Sequence, residues 1–589
     1  MVLVPTAVMD ATANQPDTTR NLLEHLNSLK NRFTPADRET KLKALRALRD
    51  LEIHGVASLI QFHEILCFLR AYPDGPEVLR LVEEALEGFA TRVDLVKAGA
   101  RLSDLRKLRD TGIAHTTVYY PYPHAMARWL VKRFPTDVEL DWEDQAGLDK
   151  IGTALSLAVA YAENDALDDE RVSLRDWVTT AKGKRPLSAL QWLLETLDRS
   201  PLSPAVLRNL YDGAELLLGW ELRDATASRT LAKFPTHRVF YHEGPLLRGE
   251  IDFWGEVQEP LPGLTLAPRK TAGELIDLFR AALSVRNREL YPLLHANARD
   301  VLVADADRGL RIVLAGVLPE FRLPLEGYYS FLVLKNGVPV SYGGGGLLLD
   351  RLEIAGNIFE PFRQGESVYL FSQVFRAFHQ LCGSRYFLVP RYQVGYENDE
   401  ALRSGAFWFY HKLGFRPEDP GVLRLSDEEH GRIKADPAYR SSPKTLERLA
   451  QSDMAFSLAA GGKDACQVLR PGDVGRLVTR LIARQFNGDR AAAIQTTTQQ
   501  VARSLGVPGW RRWSGPERTA MERLSPILVL IPDLAQWSSA EKQSLVRIIR
   551  AKGGSRESEY VRRLQAHPRL GRALCALANP THSPYPPAE

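Results

Sequence analysis

Along most of this chain the apolar positions return every third or fourth residue, the spacing of a helix with one buried stripe. Leu22, Leu23, Leu26 and Leu29 start the pattern, and Leu42, Leu45, Leu48 and Leu51 continue it. Runs of the same kind cover 56–70, 76–91, 101–109, 124–133, 145–163 and 187–197, and Pro73, Gly75, Pro135, Pro201 and Pro204 punctuate them. Phe-Pro-Thr recurs at Phe134 and Phe234, but two copies of a tripeptide do not make a repeat architecture. The pattern predicts a mainly helical N-terminal domain over 20–230, preceded by a polar, disordered tail at 1–19.

Between 231 and 269 the texture changes into a connector. Arg238-Val-Phe-Tyr and Glu250-Ile-Asp-Phe-Trp read as short strands, and Pro245, Pro260, Pro262 and Pro268 as turns. A helix is expected from Thr271 towards Leu294, then strands at Asp300–Val303 and Leu310–Leu314. Lys335-Asn336-Gly337-Val338, set between apolar runs, is the strongest short-range hairpin signal a sequence offers. Gly343 to Gly346 follow inside the second arm, where glycine packs nothing and loses the most entropy. A bulge, or a close approach to the backbone, is expected there. Leu352 to Phe359 reads as a strand, Val368 to Leu381 as a helix, Arg385 to Val389 as a strand, and a helix begins near Glu400. Helical periodicity returns over 440–578, and the proline-bearing tail 579–589 is expected to be disordered. The fold class is thus α+β or α/β and multidomain: a helical N-terminal domain, a central mixed β-sheet with helices over 270–430, and a helical C-terminal domain.

Composition narrows the class. A chain of 589 residues is too long for one core, and ~150 residues per domain gives three or four units. The 76 basic and 72 acidic residues leave a net charge of +4, which offers no bulk electrostatic argument for nucleic acid or an anionic membrane. Neither is expected as a partner. Cys67, Cys382, Cys466 and Cys575 are far apart and form no Cys-x-x-Cys, so no disulfide framework and no cysteine-built zinc site is expected. Sparse thiols, no signal-peptide pattern in Met1 to Asp17, and apolar runs such as Ala154–Ala162 far short of the ~20 residues of a membrane span predict a cytoplasmic protein. His63-Glu-Ile-Leu-Cys67 echoes a zinc helix, but cysteine stands where the second histidine belongs, and no metal is expected. The acidic run Glu163 to Glu170, the aromatic run Tyr119 to His124 and the basic Lys182 to Arg185 read as surface features.

The chemistry concentrates where a strand runs into Glu360-Pro-Phe-Arg-Gln-Gly-Glu-Ser and a helix. A helix N-terminus after such a turn presents unpaired amides and the positive dipole end, a geometry suited to pyrophosphate. Downstream stand Asn398 and then Phe407-Trp-Phe-Tyr-His-Lys-Leu-Gly-Phe. Taken in order, hairpin, strand, turn, helix, strand and Gly-Phe close resemble the catalytic core of the GNAT-type N-acetyltransferases, over about 270–430 only; the helical flanks resemble no family recognised from sequence.

The resemblance implies an acyl-coenzyme A cosubstrate, acetyl-coenzyme A or another, and an acyl acceptor that is an amine. In that family the strand before the turn splays from its neighbour and the pantetheine arm inserts there like an extra strand. By position, Ile358, Phe359, Arg363, Gln364, Gly365, Glu366, Ser367 and Asn398 would bind the coenzyme. The family pattern Arg/Gln-x-x-Gly-x-Gly/Ala is met by Gly365-Glu366-Ser367 in its second half, with Phe362 at the basic position and Arg363 one place later. Tyr410 would protonate the departing thiolate, and Glu353, ranked ahead of Glu360 and Glu397, would take the amine proton. His379 lies well inside the helix and is given no role. Two other readings remain: a Fem-type aminoacyl-tRNA-dependent transferase, of which one copy of the signature and no tRNA arm are legible, and a non-catalytic scaffold on the same fold.

Overall fold

Nine strands between Gly263 and Ser457 assemble into one mixed sheet in a computed structural model that describes residues 15–248, 251–436, 438–458 and 469–578. Most of the first expected tail, all of the second, and Cys466 lie outside the described residues; 15–19 open a helix, Gln15–Leu29. Contacts divide the chain into two compact units.

The first unit comprises the chain up to Pro245 with Asp277–Leu294 and Asn336–Pro339. It is helical, as the apolar spacing predicts, and buries two clusters. One gathers Leu23, Leu45, Phe62, Leu66 and Phe89. The other gathers Leu130, Leu155, Trp192, Leu218 and Trp220, and takes Ala281 and Val285 from the later segment. Beside this core lies a small antiparallel sheet absent from the sequence reading: β1 (Thr117–Tyr120), β2 (Val138–Leu140) and β3 (Leu218–Glu221), ordered β1-β3-β2. Strands of three or four residues are too short to display an alternation. Arg238–Tyr241, expected as a strand, is irregular, and Phe240 N–H donates to Asn336 Oδ1 at 2.8 Å. His63 is fully buried, its Nε2 3.0 Å from Thr230 Oγ1 and its Nδ1 3.7 Å from Cys67 Sγ. Burial pushes the imidazole down and the thiol up, so both stay neutral.

The second unit holds the sheet. Its strands are β4 (Gly263–Leu266), β5 (Ala296–Asp305), β6 (Leu310–Val317), β7 (Gly327–Lys335), β8 (Val338–Leu348), β9 (Arg351–Ile358), β10 (Tyr386–Val389), β11 (Arg416–Pro417) and β12 (Met454–Ser457). They are ordered β11-β12-β10-β9-β8-β7-β6-β5-β4. Asn336 and Gly337 join β7 to β8 with φ of 49° and 83°, the left-handed pair that a two-residue hairpin turn requires. β9 and β10 pair in parallel, and the helix Ser367–Cys382 connects them. Against β9 the four glycines of β8 form no bulge: the register is unbroken from Ser341–Ile358 to Leu348–Arg351. What approaches them is the protein's own side chains. A Cβ would overlap Phe331 at Gly343, the Tyr328 hydroxyl at Gly344, and Leu352 and Phe378 at Gly345.

Of the strand expected at 250–254, Glu250 lies outside the described residues, and Phe253 and Trp254 instead open a helix, Phe253–Gln258, because Asp252 Oδ1 accepts the Gly255 N–H at 3.0 Å and caps it. Six helices close the unit: Pro471–Phe486, Arg490–Ser504, Gly515–Leu528, Ser539–Lys552, Glu557–Gln565 and Pro568–Ala578. The helix Glu557–Gln565 is seated on the sheet by buried acceptors. Glu557 N–H donates to Asp300 Oδ2 at 2.8 Å, and Ser558 N–H to Tyr329 Oη at 2.8 Å. No disulfide framework is expected from the sequence; Cys575 is nevertheless disulfide-bonded, whereas Cys67 and Cys382 are free and buried. Spacing along a chain does not report which thiols fold together. Among the described residues no helix is long and apolar enough to cross a membrane.

Candidate functional site

β9 and β10 run side by side only at Arg351–Tyr386, Leu352–Phe387 and Glu353–Leu388. β10 then ends at Val389, and Pro390, which has no N–H to donate, turns the chain into Arg391–Val394. Ile354 to Ile358 therefore keep β8 on one side and have no strand on the other. The parting opens a cavity of about 340 Å³, at the lower end of the range of small-molecule sites. Ile358, Val368, Phe371 and Phe409 give it an apolar lining, and Asn357, Arg363, Gln393, Glu400 and Lys412 give it polar groups.

One wall is the start of the helix Ser367–Cys382, with Ser367 and Val368 facing the cavity. This helix of 16 residues brings unpaired amides and a positive dipole end to that wall. Glu366, whose charge would oppose an anion there, is withdrawn from it. Its side chain is buried and paired within the interior, where Oε1 accepts from Arg308 Nε at 2.9 Å and Leu247 N–H at 3.1 Å, and Oε2 from Lys335 Nζ at 3.1 Å. Burial brings the Lys335 ammonium down to about 8 against the pull of Glu366. Arg363 lines the cavity and reaches Glu400 at 2.5 Å on the facing helix Asp399–Ser404. It also donates through Nε to the Ile358 carbonyl at 3.3 Å.

Of the residues expected to bind a coenzyme, Ile358, Arg363, Ser367 and Asn398 line the cavity. Phe359, Gln364, Gly365 and Glu366 do not: Phe359 stacks on Tyr342 with centroids 5.3 Å apart, the Gln364 carbonyl accepts from Arg248, and Gly365 N–H is spent on the Phe362 carbonyl at 2.8 Å. Asn398 caps its own helix, accepting from Ala401 N–H at 3.1 Å, and ties it to the preceding turn by donating to the Tyr392 carbonyl at 3.1 Å. Tyr410 is on the cavity wall, 2% exposed, among Phe371, Phe409 and Phe415. Burial raises its phenol far above the usual value and holds it protonated. Glu353 is not brought to Tyr410. It sits on the closed stretch of the sheet between Gly346 and Leu388, outside the cavity lining, with Arg351 at 3.7 Å. Neither Glu360 nor Glu397 lines the cavity either, and His379 Nδ1 bonds the Ser384 carbonyl at 2.6 Å at the end of its helix.

Sequence reasoning missed Gly356, Asn357, Gln393, Glu400, Trp408 and Lys412 on the walls. Gln393 Nε2 donates to the Gly356 carbonyl at 2.7 Å, taking one acceptor on the free edge of β9. No local signal marks Gln393. Glu400 was legible only as a helix-start acid two residues beyond Asn398. Compared with protein-family models, with curated proteins and with solved structures, the chain gave no match.

Proposed function

We propose that the protein is a cytoplasmic acyl-coenzyme A-dependent N-acyltransferase that acylates an amine. One observation carries the reading: a cavity where β9 and β10 part, with a helix start at one wall and the buried Tyr410 phenol on another. A pantetheine arm would lie along Ile354–Ile358 in the place of the missing strand, and its pyrophosphate at the amides that open the helix at Ser367. The coenzyme would supply the acyl group as an activated thioester. Arg363 and Lys412 would add positive charge, and Tyr410, held neutral by burial, would donate its proton to sulfur.

Among the described lining residues the amine proton has no such free acceptor. Glu353 is off the cavity, and Glu400, the carboxylate among the lining residues, is paired with Arg363. That observation favours a second reading, a coenzyme-binding scaffold without turnover. The test is calorimetry and thermal shift with acetyl-coenzyme A on the full chain and on Ser367→Asp. An aspartate at a helix start stabilises the helix but repels pyrophosphate, so the variant should fold and lose the ligand. Binding to the wild type should raise stability by about 2.7 kcal/mol at a hundredfold excess over Kd. Absence of any shift at millimolar ligand sinks both readings. Binding without acyl transfer to any of a panel of primary amines leaves the scaffold.

A further inference from the structure

We infer that the arginine-rich C-terminal helices carry a binding face for single-stranded nucleic acid, centred on Trp513. The near balance of the whole chain conceals a segregation of charge. Residues 469–578 hold 19 arginines and lysines against 8 aspartates and glutamates, a net of +11 in a chain whose total is +4, so the rest of the molecule is acidic. Of these cations 17 are arginines. Guanidinium grips phosphate in a bidentate fork and stacks on bases, which an ammonium does not. This inference is independent of the acyltransferase reading.

Several of these arginines gather about the segment Trp510–Trp513, where Arg511 lies over Trp510 with its guanidinium 5.4 Å from that ring's centroid. Trp510-Arg-Arg-Trp513 precedes the helix Gly515–Leu528, and Arg511 and Arg512 are both exposed. Arg518 folds back to donate to the carbonyls of Arg511 at 3.4 Å and Trp513 at 3.3 Å. From the next helix, Arg550 places its guanidinium 5.5 Å from the Trp513 ring centroid. Arg547 stands one turn earlier on that helix, on the same exposed side. Against five arginines stands Glu517, held by Arg550 at 2.8 Å. A half-exposed indole with one guanidinium over it and further arginines beside it in sequence is the pairing that binds unpaired bases: the ring stacks and the cations track the backbone. A lipid surface fits less well. In this region Ile494 is the large hydrophobic side chain that stands out, 41% exposed, and it does not belong to the arginine group.

The test is fluorescence anisotropy of the full chain with labelled oligouridylate and oligothymidylate of about 20 nucleotides, and with a duplex of the same length. Single strands should bind more tightly than duplex. The affinity should fall with salt at a log–log slope of about −2 to −3.5, the release expected when three to five phosphates are neutralised. Arg512 and Arg547 form no ion pair among the described residues, so the double variant Arg512→Ala, Arg547→Ala should fold, flatten the slope and weaken binding about tenfold. Trp513→Ala should cost about tenfold on single strands and little on duplex, and Trp513→Phe should restore it. A preference for uridylate over thymidylate assigns the face to RNA, and the reverse to DNA. No binding at about 50 mM salt, or binding indifferent to these substitutions, overturns the inference. So does equal competition by polyglutamate, which would indicate an acidic protein, or tighter binding to phosphatidylserine vesicles.

Discussion

Asp300 shows how much a single buried carboxyl governs in this protein. It lies within the second unit, accepting from Tyr329 Oη at 2.9 Å and from Glu557 N–H at 2.8 Å, and burial pushes it up to about 6 despite those bonds. A carboxyl whose folded pKa is raised holds its proton longer in the native state than in the unfolded chain. Its contribution to stability is therefore complete below about pH 4 and is lost as pH rises through about 6. Glu557, also raised by burial, adds to the same trend. The expected outcome is a decline of about 3 kcal/mol across that window, measured by urea titration at successive pH values. Asp300→Asn keeps an acceptor for the helix start and should remove most of the slope. A profile equally steep in wild type and variant would show that Asp300 is not the group responsible.

At the scale of elements, the glycine run in β8 separates what a sequence states from what it hides. Costly glycines in a strand announce that something comes close, and that much is legible from Gly343 to Gly346. Which glycine is needed depends on residues far along the chain. Gly345 has Leu352 and Phe378 against it, whereas above Gly346 the nearest atom, Glu326 Oε1, leaves a Cβ 3.6 Å of ordinary contact. Gly345→Ala should destabilise by about 1–3 kcal/mol through overpacking. Gly346→Ala should be neutral or stabilising by up to about 1 kcal/mol, through the unfolded chain. Chemical denaturation of the two variants decides; equal losses would mean that backbone strain, not side-chain crowding, selects glycine throughout. The same distinction divides the candidate site. The Asn-Gly hairpin, β9, the turn and the helix after it are written locally, in alternation and turn residues. The withdrawal of Glu366 is not, because Lys335, Arg308 and Leu247 lie 31, 58 and 119 residues away. Nor is the distance between Glu353 and Tyr410, which follows from where β10 stops.

Over the whole molecule, the first unit is not a contiguous stretch of chain, and this has a measurable consequence. Its second core contains Ala281 and Val285 from the segment Asp277–Leu294, which lies beyond the stretch Leu246–Ile276 assigned to the other unit. The attachment is specific. Tyr122 Oη donates to the Ser284 carbonyl at 3.2 Å, Trp129 Nε1 donates to Asp277 Oδ1 at 2.7 Å, and Gly112, at φ 69°, leaves no room for a Cβ beside the Val285 carbonyl. A boundary drawn from composition alone falls near 230 and omits this segment, because helical periodicity tells that 277–294 is amphipathic but not which core its apolar face joins. A fragment ending at 245 would expose the apolar surface that Ala281 and Val285 cover, and leave the Trp129 indole N–H and Tyr122 hydroxyl without these acceptors. Extending the fragment to 294 should restore them. The longer fragment is expected to melt cooperatively and to resist protease, and the shorter one to bind a hydrophobic dye and be digested quickly. Equal protection of the two fragments would show that the early chain folds on its own core and that the segment Asp277–Leu294 is dispensable to it.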